Sequence, residues 1–277
     1  MKRRRIMIKR KWFGIFGFLI LLALPSLSLA YDNSPNWHVN LPETIYASAT
    51  GGGTWVSEVQ IIDRTGGSVV SCYFNYGGGN YRYIYNVWTG PGANYTVRFS
   101  NMLYSLGLID TGFSYYGRVG ALDFFTQDSS HKIIVTCREY NGNYSKTMPG
   151  LNYSVDANTA SYSPFRPMVV PNLANNSTYR ATCGFYNPTS ITVTCRFYVT
   201  NNTWNYVGAY FDKTFVGFDF QVFNPFVQAG VPYPSYSYTN MYLYIYPIGG
   251  TGTLFCFGAT ANNYSNDPAS HLAVQWN

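Results

Sequence analysis

The chain has 277 residues, of which 47% are hydrophobic, 19% aromatic and only 11% charged, enough apolar material for buried cores and too little charge to solvate long helices. Its net charge of +6 belongs to the first residues: seven of the eighteen Lys and Arg stand at positions 2–5 and 9–11, no acid lies in 1–30, and the remainder holds eleven bases against twelve acids, near −1. Those eleven bases are scattered singly, which excludes a nucleic-acid partner.

Taken in chain order, the basic stretch is followed by an apolar run, Trp12–Leu24, then Pro25 and Ser28-Leu29-Ala30. This pattern predicts a secretory signal peptide over residues 1–30, cut after Ala30. The apolar run is shorter than the roughly 20 residues of a membrane helix, so no stable membrane insertion is expected after cleavage. The mature protein is expected to be secreted, extracellular or held at the cell surface.

Residues 31–42, with Pro35 and Pro42, predict a flexible lead-in. Short alternating runs rich in strand formers follow at Thr44–Ala49, Trp55–Ile62, Ser68–Phe74, Tyr81–Trp88, Asn94–Phe99, Ala121–Phe125 and Lys132–Tyr140, with one helical turn over Asn101–Leu108. Residues 148–166, rich in Pro, Gly, Ser and Asn, predict a linker. Beyond it come Met168–Val170, Tyr179–Tyr186, Ile191–Val199, Phe218–Val222, Met241–Tyr246 and Thr253–Thr260. Runs this short and evenly spaced predict an all-β protein of two antiparallel β-sandwich domains, residues 43–147 and 167–277.

The two halves repeat one another. Val70-Ser71-Cys72-Tyr73-Phe74 matches Val193-Thr194-Cys195-Arg196-Phe197, and Cys137 matches Cys256, at intervals of 65 and 61 residues. Period two gives matched inward faces: Val59 and Ile61 with Cys183 and Phe185, and Leu122 and Phe124 with Leu243 and Ile245. Cysteines in the apolar register of an exported chain predict two disulfides, Cys72–Cys137 and Cys195–Cys256, with Cys183 left over. A Cys183–Cys195 pair across the turn, or free cysteines serving as small hydrophobes, are the alternatives.

The segments Trp55-x-x-Glu58-Val59-x-Ile61-x-Asp63, Gly120-Ala121-Leu122 and Cys137-Arg138-Glu139-Tyr140-Asn141 resemble a family of tandem immunoglobulin-like β-sandwich repeats in secreted bacterial proteins. Tyr179-Arg180-Ala181-Thr182, Phe185-Tyr186-Asn187-Pro188 and the run from Gly258 to Pro268 carry the resemblance through the second half. It implies the fold and export, and no activity.

His38, His131 and His271 have no spacing of a metal cage or triad, and Glu58, Asp63, Asp110, Asp123, Glu139 and Asp219 are unpaired in sequence. No catalytic residue, metal ligand or cofactor is therefore assigned, and no enzyme is expected. The binding candidates are two tyrosine stripes: Tyr242, Tyr244 and Tyr246, turned away from the apolar register of Leu243 and Ile245, and the similar run Tyr81, Tyr83 and Tyr85. The expected function is a structural or adhesive surface protein that self-associates or meets other surface proteins. A carbohydrate-binding module using the stripes is the alternative, and an outer-membrane β-barrel the second.

Overall fold

The computed structural model describes residues 36–48, 52–109, 118–142, 144–152, 158–159, 168–231, 237–264, 268–272 and 274–275. The expected signal peptide and most of the expected linker lie outside them. No helix among the described residues is long and apolar enough to cross a membrane.

The first half contains β1 (His38–Ser48), β2 (Thr54–Asp63), β3 (Val69–Asn75), β4 (Tyr81–Thr89), β5 (Thr96–Phe99), β6 (Arg118–Thr126), β7 (Ile133–Asn141), β8 (Tyr144–Pro149) and β9 (Leu151–Asn152), with a short helix α1 (Met102–Ser105) after β5. The second contains β10 (Asn158–Thr159), β11 (Met168–Asn175), β12 (Tyr179–Tyr186), β13 (Val193–Thr200), β14 (Phe211–Phe215), β15 (Phe220–Phe223), β16 (Tyr238–Gly250), β17 (Thr253–Asn262), β18 (Pro268–Leu272) and β19 (Val274–Gln275), with α2 (Pro225–Gln228) after β15. Their pairings are antiparallel.

The strand order is the same in both halves. One layer runs β4-β3-β6-β1 in the first and β14-β13-β16-β11 in the second. The other runs β5-β2-β7-β8 and β15-β12-β17-β18. In the first half β1 also pairs with β2, joining the layers into one nine-stranded sheet, whereas the second half keeps two five-stranded sheets.

Local chemistry repeats with the topology. Leu41 pairs with Leu122, and Val170 with Leu243. The residue after each is a proline, Pro42 or Pro171, which has no N–H for the ladder, and in both strands the register shifts there. At the ends of β2 and β12, Asp63 and Asn187 fold the following turn onto their side chains. Asp63 Oδ1 accepts from the backbone of Thr65 and Gly66, and Asn187 Oδ1 accepts from the backbone of Thr189 at 3.0 Å. Asn101 and Asn224 cap the two short helices.

The expected inward register holds in both halves. Val59, Ile61, Val70, Phe74, Leu122 and Phe124 pack one core, and Phe185, Val193, Phe197, Leu243 and Ile245 pack the other. Two expectations are corrected. The lead-in does not reach residue 42, because β1 begins at His38, its bulge accommodating Pro42. The disulfides Cys72–Cys137 and Cys195–Cys256 are absent: these four residues and Cys183 are buried free thiols. Each fills core space on its own strand among Val, Leu and Phe side chains, Cys256 lying 3.9 Å from the Met168 sulfur. Burial pushes the thiols far up, Cys195 to about 12, so they are inert small hydrophobes.

The halves meet along a seam within one compact unit. Ala121 and Leu151 of the first half pack against Tyr186, Phe220, Phe255 and Phe257 of the second. The Asn75 amide donates to the Tyr186 hydroxyl at 2.9 Å. The Gly77-Gly78-Gly79 turn lies along the loop before β15, where the Gly78 N–H donates to Asp219 at 2.6 Å. Gly77 and Gly79 have φ of +103° and +72°, and a Cβ on either would press a second-half carbonyl at 3.0 or 3.1 Å, so conformation and space both demand glycine. Beside the seam, Lys146 is buried between Glu43 and Glu139, with its ammonium 5.7 Å from the Phe257 ring centre.

An aromatic groove on the second half

Along β13 the residues Cys195, Phe197 and Val199 enter the core, so Arg196, Tyr198 and Thr200 turn outward. Along β16 the same alternation turns Tyr242, Tyr244 and Tyr246 outward beside them, with Tyr198 opposite Tyr244 and Arg196 opposite Tyr246. The wall of the resulting groove comes from the connection between β13 and β14. Asn201 Oδ1 accepts from the N–H groups of Thr203 and Asn205, at 3.0 and 2.9 Å, and winds the chain tightly. Within that turn Trp204 is held at φ +64°, a conformation uncommon for a bulky side chain. Strain of this kind persists only where the surroundings enforce it, and it gathers at functional sites.

Trp204, half exposed, lies over Tyr244 with ring centres 4.7 Å apart. Tyr198 meets Tyr206 at 5.2 Å and stands edge-on to Tyr246 at 5.6 Å. With Thr200, Pro247 and Ile248 these rings line a groove of about 280 Å3. At its end Arg196 makes a two-pronged pair with Asp212, both contacts 2.8 Å, and stacks on Tyr210 at 4.3 Å. In the floor, Thr200 is 1% exposed and its hydroxyl has no hydrogen-bond partner among the described residues. Burial, and then the neighbouring phenols, raise the pKa of Tyr244 and Tyr246, so their hydroxyls remain protonated donors.

Such a surface offers ring faces for the C–H faces of a flat ligand, and hydroxyl, guanidinium and carboxylate groups for its polar rim. The second-half stripe therefore faces as the sequence predicts, except that Tyr244 is only 5% exposed because Trp204 covers it. Arg196, Tyr198, Thr200, Trp204, Tyr206, Tyr210 and Asp212 were not among the sequence candidates. Period two carries a signal for the first three; the Trp204 loop carries none.

Tyr81, Tyr83 and Tyr85 are exposed on β4. Their setting is different. Tyr73, Tyr83 and Phe125 form a three-ring cluster across adjacent strands, with ring centres 5.0, 5.3 and 6.0 Å apart, and Tyr73, Tyr81 and Phe218 line only a small hollow of about 100 Å3. Tyr81 leans on Phe218 of the second half at 5.7 Å.

The scarce acids have structural partners. Glu58 pairs with Arg98 and Asp123 with His38, both at 2.5 Å, while Asp63 folds its turn and Asp219 fastens the seam. Asp110 and the side chain of His271 lie outside the described residues. A scan against protein-family models finds no match to this chain, and a search of curated proteins finds none.

Proposed function

We propose that this is an exported, non-enzymatic binding protein of two tandem immunoglobulin-like sandwich repeats, which adheres to a saccharide through the groove of its second half. The observation that carries the reading is Trp204, held in a strained turn over Tyr244 at the edge of a concave, polar-rimmed aromatic surface. The shared strand order and the matched Pro42 and Pro171 bulges support the tandem arrangement. Interiors of Val, Leu and Phe favour sandwiches over a barrel with a polar lumen.

Native gels cast with soluble polysaccharides test the function. The protein is expected to be retarded by at least one polymer. Trp204→Ala should remove the retardation with its melting curve kept. No retardation by any polymer tried, or equal retardation of the variant, would overturn the reading. Self-association is the second reading, favoured by three exposed tyrosines on β4, an edge strand of its sheet. Sedimentation that changes with protein concentration, and that Tyr83→Ser with Tyr85→Ser suppresses, would establish it.

A further inference from the structure

We infer that the groove is built for an uncharged saccharide and that Asp212 sets this selectivity; the inference rests on the saccharide reading above. Arg196 is the charged residue among those that line the groove. A lone arginine there would be a ready site for a uronate or sulfate, since its planar fork matches an anion in two-pronged geometry. Here the Nε edge of that fork is already taken. The Nε and one Nη of Arg196 each donate to a different oxygen of Asp212 at 2.8 Å, and a face of the guanidinium is stacked on Tyr210 at 4.3 Å.

An acidic sugar entering the groove would have to break this pair, or sit beside the Asp212 carboxylate with its own charge unneutralised. Like-charge juxtaposition of that kind discriminates against the wrong partner. A neutral sugar meets no such opposition. Its vicinal hydroxyls can donate to the carboxylate and accept from the guanidinium without separating the two. The pair is also fixed by strand register, because Arg196 on β13 is directly opposite Asp212 on β14.

The rest of the groove is neutral and polar. Tyr198, Tyr206 and Tyr246 add phenolic hydroxyls to the lining. Rings, hydroxyls and one self-neutralised ion pair together describe a site for a neutral hexose or pentose chain.

Calorimetric titration of the full-length purified protein with cellohexaose, xylohexaose and mannohexaose, and in parallel with hexagalacturonate, tests this directly. At least one neutral hexamer should bind, with hexagalacturonate weaker by about tenfold or more at moderate salt. Asp212→Asn keeps the shape of the side chain and releases the Arg196 charge. It should move the ratio of acidic to neutral affinity toward the acid by about tenfold, an effect that salt screens and that adding Arg196→Gln abolishes. Preference of the unaltered protein for hexagalacturonate, or an unmoved ratio in a folded Asp212→Asn variant, would overturn the selectivity and leave the saccharide groove standing. Binding of none of the four would overturn both.

Discussion

The outer face of β3 and β6 in the first half and that of β13 and β16 in the second hold the same place in the repeated strand order, yet one end of the first is pressed into the seam and the second is open. The matched register shows what differs. Where the first half pairs Asn75 with Ala121, the second pairs Tyr198 with Tyr244. The small pair lets Tyr186 approach and bond to Asn75; the large pair lines a groove. The opposite layer differs in the complementary sense. Phe255 and Phe257 plug the seam from the second half, and their counterparts in the first are Thr136 and Arg138. A duplication delivers every surface twice, and outward residues, which the core does not constrain, decide which copy is buried and which is left to bind.

The largest effect expected from breaking this comparison is at the seam. Phe257→Ala should cost about 3–5 kcal/mol, as for other large aromatic truncations in tight packing, and both halves should still lose structure in one transition. Denaturant titration followed by circular dichroism and by tryptophan emission checks this. Two separated transitions in the unaltered protein would show that the seam does not couple the halves.

A smaller effect sharpens the repeat itself. Asp63→Ala and Asn187→Ala each strip a fully buried side chain that holds its turn, Asp63 by accepting turn N–H groups and Asn187 by accepting from the Thr189 N–H and donating to the carbonyls of Ile191, Phe215 and Val216, and each should cost about 1–3 kcal/mol. Similar losses would confirm that the two turns are energetic equivalents. A loss at one position alone would confine the equivalence to geometry.

The third prediction uses a group that the second half lacks. Burial, and then the charge of Glu43, raise Glu139 from the ordinary carboxylate range to about 7, although Lys146 opposes them. A carboxyl whose pKa is raised on folding stabilises while protonated. Stability from this site should therefore be complete below about 4.5 and lost as pH rises through about 7. Glu139→Gln should flatten this part of the stability profile, measured by urea midpoints at several pH values. An unchanged slope would place the acid dependence elsewhere.

The smallest stability change is expected at the groove. Trp204→Gly removes a half-exposed ring and relieves a left-handed backbone, so the fold should be unaffected or gain up to about 1 kcal/mol. Retardation by polysaccharide should vanish. A marked loss of stability instead would make Trp204 a structural wedge.

Much of this organisation is legible in the sequence because a strand alternates with period two. Leu243 and Ile245 inward oblige Tyr242, Tyr244 and Tyr246 outward, and the repeated cysteines align the two halves. The same alternation led to disulfides that do not exist, since it says which side a sulfur takes and nothing about what it meets there. β8 escaped notice because Lys146, at an inward position, breaks the apolar pattern, its charge being matched by Glu139 directly opposite on β7 and by Glu43 on β1. The groove wall escaped for another reason. Asn201-Asn202-Thr203-Trp204 reads as an ordinary polar turn, and nothing local says that its tryptophan will cover a tyrosine forty residues away.

The five enclosed thiols have a consequence of another kind. A fold that holds its cysteines as hydrocarbon-like filler does not need an oxidant to complete it, and the same molecule should form in reducing and oxidising surroundings. The sulfurs also amount to a built-in set of opening sensors. An alkylating reagent reaches each one only when its strand leaves the core, so Cys72 and Cys137 time the first half and Cys183, Cys195 and Cys256 the second, with no label added to the chain.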